Sequence, residues 1–192
     1  MSTQPKTFLT PEQYLEIERK AEFKSEYFNG EMFALAGAKV AHNLLVANLL
    51  AALHREFRLR QCFVFPSDMR VRAGASGLYT YPDVSAVCGE PEFIDDQGDT
   101  LANPGLLAEV LSPSTEAYDR GRKFELYKSI ASLREYLVVA TDRIHADLYT
   151  RQADDRWMLT SAARLEDSLN LESVGAQLNL ADLYEKVKFA AA

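Results

Sequence analysis

Tyr81-Pro82-Asp83-Val84 opens one apolar run, and after a long linker Leu106-Leu107-Ala108-Glu109-Val110-Leu111-Ser112 makes a second. Each reads as a short β-type segment with one carboxylate where a buried apolar residue is expected. A carboxylate inside a strand is costly unless a cation or hydrogen-bond donors meet it. Two of them in neighbouring buried strands point to a shared divalent ion held by hard oxygen ligands. A lysine, Lys123, stands on the next helical stretch, and the three side chains together suggest phosphodiester chemistry.

Toward the amino terminus, Ala41 to about Arg58 carries Leu45, Leu49, Ala52, Leu53 and Phe57 at helical spacing, the most regular helix in the chain. Before it, Ser25 to Phe28 and Glu31 to Leu35 flank Asn29-Gly30, a dipeptide suited to the positive φ angles of a two-residue hairpin turn. Earlier still, Thr10 caps a helix that runs to about Ala21, with Pro11 at the first helical position and Gln13 completing a capping box. Cys62 to Phe65 and Met69 to Val71 read as extended, whereas Gly89 to Pro104, rich in acidic, glycine and proline residues, reads as an exposed loop. Downstream, Asp119 to Ile130 reads as an amphipathic helix with Phe124, Tyr127, Ile130 and Ala131 along its apolar side. Glu135 to Ala140 and His145 to Tyr149 follow as a strand pair turning near Asp142-Arg143, with Trp157 to Thr160 as a further strand. This order of elements fits an α/β (α+β-like) fold with a mixed central β-sheet flanked by helices.

With 192 residues, 47% of them hydrophobic, the chain is long enough for one complete core and short for two, so a single domain over residues 1–192 is expected. The longest apolar stretch, Leu44 to Leu53, is broken by Asn48 and falls well below a bilayer span. Met1 to Lys6 has no apolar signal core and no small-residue cleavage site, so a cytoplasmic location without membrane association is expected. Cys62 and Cys88 have no CxxC or Cys/His spacing and read as small reduced core residues. The balance of 28 acidic against 21 basic side chains gives a formal charge of −7, which weighs against holding nucleic acid through bulk electrostatics. Arg55, Arg58 and Arg60, and the alternating Arg70 and Arg72, read as solvated faces.

Magnesium keeps several waters and takes one or two protein carboxylates, so Asp83, Glu109 and a backbone carbonyl make a plausible incomplete shell with room for a substrate phosphate. Such an ion would acidify a bound water and polarise the phosphoryl oxygen. An ammonium beside it would steady the charge of the transition state. Each member also has an ordinary explanation. Pro-Asp is a common turn element, and Lys123 follows Asp119 by four residues, the spacing of a surface ion pair. His42, in the first turn of the long helix, shares a face with Leu45, Val46 and Leu49, where a packed histidine is the commoner outcome. Ser112-Pro113-Ser114-Thr115 reads as a polar turn that caps the next segment. No two histidines have metal-ligand spacing, and no glycine-rich phosphate loop or G-x-S-x-G elbow is present in the sequence.

Glu26, Asn29-Gly30-Glu31, His42, Pro82-Asp83-Val84, the block Glu109-Val110-Leu111-Ser112-Pro113-Ser114-Thr115, and then Asp119, Lys123 and Tyr127 resemble the ordered motifs of the Uma2 family of restriction-endonuclease-type proteins. That family lies within the PD-(D/E)XK nuclease superfamily, and the resemblance runs from about Thr10 to Thr150. It implies a restriction-endonuclease-like core, with Asp83, Glu109 and the carbonyl of Val110 as metal ligands. It also implies Lys123 as the catalytic lysine and Glu26, His42 and Glu31 along the site. One departure stands out: Leu111 occupies the position two after the glutamate where the superfamily lysine normally stands, so Lys123 is similar to a migrated lysine. The expectation is a magnesium- or manganese-dependent endonuclease acting transiently on DNA, homodimeric by family resemblance, with no other protein partner indicated. Two rivals stay open: a non-catalytic binding or scaffold protein on the nuclease fold, and a hydrolase of RNA or nucleotides.

Overall fold

The computed structural model describes residues 8–74 and 77–189, so the stretch Met1 to Lys6 lies outside the described residues. Thr10 caps α1 (Pro11–Glu18): its hydroxyl accepts from the Gln13 amide and the Gln13 side chain accepts from the Thr10 amide. The helix ends at Glu18, short of Ala21, with Arg19 as its C-cap; the Arg19 side chain meets Asp95 and Asp99 at 2.8 and 2.7 Å. Asn29 and Gly30, with φ of 49° and 85°, join β1 (Ser25–Phe28) to β2 (Glu31–Ala34) in the expected hairpin. Next, α2 (Val40–Phe57) buries Leu45, Leu49, Ala52, Leu53 and Phe57, the stripe read from the sequence.

Six strands follow: β3 (Cys62–Pro66), β4 (Arg70–Ala73), β5 (Leu78–Thr80), β6 (Val84–Cys88), β7 (Thr100–Leu101) and β8 (Leu106–Leu111). A helical segment then passes through α3 (Glu116–Tyr118), a π-helical turn (Asp119–Lys123) and α4 (Phe124–Tyr127). The chain closes with β9 (Glu135–Ala140), β10 (Ala146–Arg151), β11 (Trp157–Ala162), the hairpin of β12 (Ser168–Leu171) and β13 (Ala176–Asn179), and α5 (Leu180–Leu183).

The central sheet has the order β11-β10-β9-β8-β6-β3 and is mixed, with β8 and β9 parallel and its other pairs antiparallel. A second sheet, β2-β1-β5-β4-β7, is also mixed through the parallel pair of β4 and β7. Both β8 and β9 are buried along their whole length, as expected of parallel strands covered on both faces. Alternation along β8 divides the core. Leu106, Ala108 and Val110 join the cluster with α2, the β12–β13 hairpin and α5, whereas Leu107 and Leu111 join Phe124, Tyr127, Ile130 and Tyr136 on the opposite face. Glu109 shares the period of Leu107 and Leu111, so it is delivered to the α4 side.

Several expectations need correction. Cys62 and Cys88 form a disulfide, because the β3–β6 register places them directly opposite, with Cα atoms 4.0 Å apart. Arg70 is not on a solvated face: it is 2% exposed and its guanidinium meets Thr100, Tyr81 and Asp99 at 2.9, 2.9 and 3.0 Å. Gly89 to Pro104 is not wholly an exposed loop, since Thr100 and Leu101 are buried as β7 beside β4. The helical segment ends at Tyr127 rather than Ile130, and Ala131 is exposed. The Thr115 hydroxyl bonds back to the Ser112 amide instead of capping α3. Among the described residues no helix is long and apolar enough to cross a membrane.

Candidate active site

Asp83 stands immediately before β6, whose first residue Val84 lies opposite Ala108 of β8. Two steps further along that register, Pro82 falls opposite Val110. Proline has no N–H, so the ladder ends there. The Val110 amide instead donates to Asp83 Oδ2 at 2.8 Å. A strand residue sends its N–H and C=O to the same edge, so the Val110 carbonyl shares the Asp83 side and receives no N–H from Pro82. His42, one turn into α2, brings Nε2 to 3.1 Å from the same Asp83 oxygen, and its Nδ1 is buried without a hydrogen-bond partner.

Glu109 Oε1 accepts from the Lys123 ammonium at 2.8 Å and from the Tyr127 hydroxyl at 2.7 Å. The same ammonium lies 3.1 Å from Glu26 Oε1 on β1 and 3.7 Å from Asp119 Oδ1. Asp119, Lys123 and Tyr127 recur at intervals of four residues, so one face of the helical segment carries all three. Aromatic packing anchors the segment, with the Phe124 ring 5.0 Å from Tyr136 and 5.1 Å from Trp157. Side-chain exposure is 6% and 7% for Glu109 and Lys123 but 16% and 18% for Asp83 and His42. The site is therefore closed at the lysine and reached from solvent on the Asp83 side.

Burial pushes the Glu109 carboxyl up to about 8, and the like charges of Asp83 and Asp119 reinforce it against the pull of Lys123. Burial works to discharge Lys123, but Glu109, Glu26 and Asp119 outweigh it and hold the ammonium charged well above its usual range. Asp119 is raised by burial, opposed by Lys123. Three carboxyl groups thus surround one ammonium in a largely desolvated pocket.

This donor set fits a magnesium-type ion. The contacts described use Asp83 Oδ2 and Glu109 Oε1, so Oδ1, Oε2 and the Val110 carbonyl are the hard oxygens available to an ion. Among the described residues no three His, Cys, Asp or Glu side chains are grouped as a ready cage. Magnesium binds through one or two carboxylates and keeps its waters, so two carboxylates and a carbonyl would be a sufficient protein share of its shell. A cavity of about 140 Å³ beyond the ends of β8 and β9, lined by Leu111, Ser112, Pro113, Glu116, Thr141 and Asp142, holds none of these donors.

Asp83, Glu109, Lys123, Glu26 and His42 are therefore brought together, and Val110 joins through its backbone. Glu31 stands across the hairpin turn from it all, paired with Phe28. The Asp119–Lys123 pair exists, but both residues are buried, at 4% and 6% exposure, and the surface reading is corrected. Sequence reasoning missed Thr80, whose buried hydroxyl donates to Glu26, and the bond that Tyr127 makes to Glu109. Tyr127→Phe removes one buried donor and should lower stability by about 1–2 kcal/mol in urea unfolding; an unchanged midpoint would show that the bond contributes nothing.

A model of the Uma2 family, described as "Putative restriction endonuclease", matches residues 11–181. The chain is 40% identical over 152 residues to the uncharacterized protein sll1609 of Synechocystis, spanning 79% of this chain and 86% of the relative. It is 34% identical over 181 residues to slr1290 of the same organism, spanning 94% of each. The fold superposes with TM-score 0.76 and 16% identity on the crystal structure of "a putative nuclease belonging to DUF820" from Anabaena variabilis, covering 94% of this chain and 99% of the other.

Proposed function

Because this chain belongs to the Uma2 family, we propose that it is a metal-dependent endonuclease hydrolysing phosphodiester bonds of DNA. One observation carries the reading: Asp83, just before β6, holds the Val110 amide next to Glu109, and Glu109 pairs with Lys123 in a pocket where carboxyl groups outnumber cations. Asp83, Glu109 and the Val110 carbonyl would hold magnesium or manganese, with His42 fixing the Asp83 carboxylate through its Nε2 contact. Bound there, the ion would supply Lewis acidity toward the phosphate and acidify a water. Lys123 would orient the attacking water or steady the phosphoryl charge, and Glu26 would hold the ammonium in place. The open Asp83 side is where a phosphate would enter. A cytoplasmic homodimer, acting as a single domain, belongs to the same reading, and sedimentation at twice the chain mass is its check.

The pH dependence has a definite sign. In the folded chain the Glu109 carboxyl keeps its proton up to about 8, whereas the unfolded chain releases it near 4.5. The folded state therefore binds more protons in that window, and the stability contributed by Glu109 is full below it and lost as pH rises through it. An ion must displace that proton. Manganese affinity measured by calorimetry should rise by up to about tenfold per pH unit between about pH 6 and 8. A flat profile would remove Glu109 from the ligand set. The rival scaffold reading, favoured by the ion pairs that hold Lys123, predicts no manganese heat that depends on Asp83. An RNA or nucleotide hydrolase would bind the ion yet leave plasmid DNA intact.

A further inference from the structure

Thr80 is fully buried at the end of β5, three residues before Asp83. The β1–β5 register pairs Tyr27 with Tyr79, so one step along it Glu26 faces Thr80 across the strands. The Thr80 hydroxyl donates to Glu26 Oε1, the oxygen that also receives the Lys123 ammonium. On its other side that ammonium meets Glu109 Oε1, which the Tyr127 hydroxyl holds. The lysine is thus suspended between two carboxylate oxygens, each fixed by one hydroxyl.

We infer that Thr80 is a positioning residue for Lys123, acting through Glu26. The lysine does not stand on the strand that carries Glu109, so the β8 register does not set where its ammonium lies. It arrives from the π turn on a flexible four-carbon stem. Glu26 comes from the other sheet and is itself a long side chain with rotamer freedom to lose. Thr80 is β-branched and stiff about χ1, so its hydroxyl is a rigid donor that selects one placement of the Glu26 carboxylate. Glu26 in turn selects one placement of the ammonium beside Glu109.

The inference rests on the nuclease reading, and the test separates the two. Nicking of closed-circular plasmid DNA and manganese binding by calorimetry are measured for the wild type, Thr80→Val and Thr80→Ser. Thr80 makes no hydrogen bond to Asp83 or Glu109. Thr80→Val should therefore lose about tenfold or more in kcat, with KM and manganese affinity within about threefold of wild type. Thr80→Ser, which keeps the hydroxyl, should recover most of the rate. Wild-type kcat in Thr80→Val, an equal loss in Thr80→Ser, or a parallel loss of manganese binding would each overturn the role. Should Thr80→Val not fold, Thr80→Ala is read against Thr80→Ser in the same assays. A wild type that neither binds manganese nor nicks DNA overturns the nuclease reading and this inference with it.

Discussion

Asp83→Ala and Glu109→Ala should each reduce manganese-dependent plasmid nicking by about a thousandfold or more, the equivalent of roughly 4 kcal/mol of transition-state stabilisation. Each variant removes one of the two side chains proposed to hold the ion. Calorimetry should show manganese heat falling in step with the rate. The folding consequences differ between the two. Without the Asp83 carboxylate, the Val110 amide and the His42 ring lose their acceptor at the edge of β8, which costs about 1–3 kcal/mol. Loss of Glu109 removes a buried acid but leaves Lys123 beside Glu26 and Asp119, so the ammonium is not stranded. Circular dichroism should therefore report a folded chain in both cases. Wild-type cleavage by either purified variant would end the metal-ligand assignment.

Lys123→Met should have the largest effect on stability. Methionine retains most of the stem's packing, yet Glu26, Glu109 and Asp119 are left together with no cation among them, all buried. Removing one partner of a buried ionic cluster typically costs about 3–5 kcal/mol, because the remaining charges are neither solvated nor paired. The loss should shrink as pH falls, since carboxyl groups that take up protons no longer repel. Urea unfolding at neutral and mildly acidic pH would show this as a closing gap between variant and wild type. A gap that stays constant with pH would mean that packing, not charge, explains the effect. Cleavage should fall as well, because among the described residues no other ammonium contacts Glu109.

Much of this site is legible before any coordinates. Asp83 and Glu109 interrupt apolar runs, and strand alternation assigns Glu109 to the face opposite Ala108 and Val110. Spacing of four places Asp119, Lys123 and Tyr127 on one helical face, while Leu45 and Leu49 fix the buried side of the helix that presents His42. The hairpin of β12 and β13 also has a readable signal, Leu169 and Leu171 alternating before Gly175 and Leu178 after it, which lies outside the acid-bearing runs.

Other features leave no local trace. Thr80 is one threonine on a three-residue strand, and its role depends on Glu26 standing opposite it in another segment. Arg70 alternates with Arg72 like any solvated pair, and its burial follows from Tyr81, Thr100 and Asp99 arriving from elsewhere. Cys62 and Cys88 become partners only because β3 and β6 pair in one particular register.

The sequence by itself determined the first two helices, the Asn29-Gly30 hairpin, the main strand runs from Cys62 to Thr160, and which acids and lysine depart from an otherwise apolar pattern, because periodicity and propensity are properties of neighbouring residues. Only the tertiary structure decided that Asp83 meets His42 and the Val110 amide, and that one ammonium spans acids from a strand, a hairpin and a π turn. Register between segments distant in the chain sets those distances, and the desolvation of groups so enclosed shifts the ionisation of otherwise ordinary carboxyls.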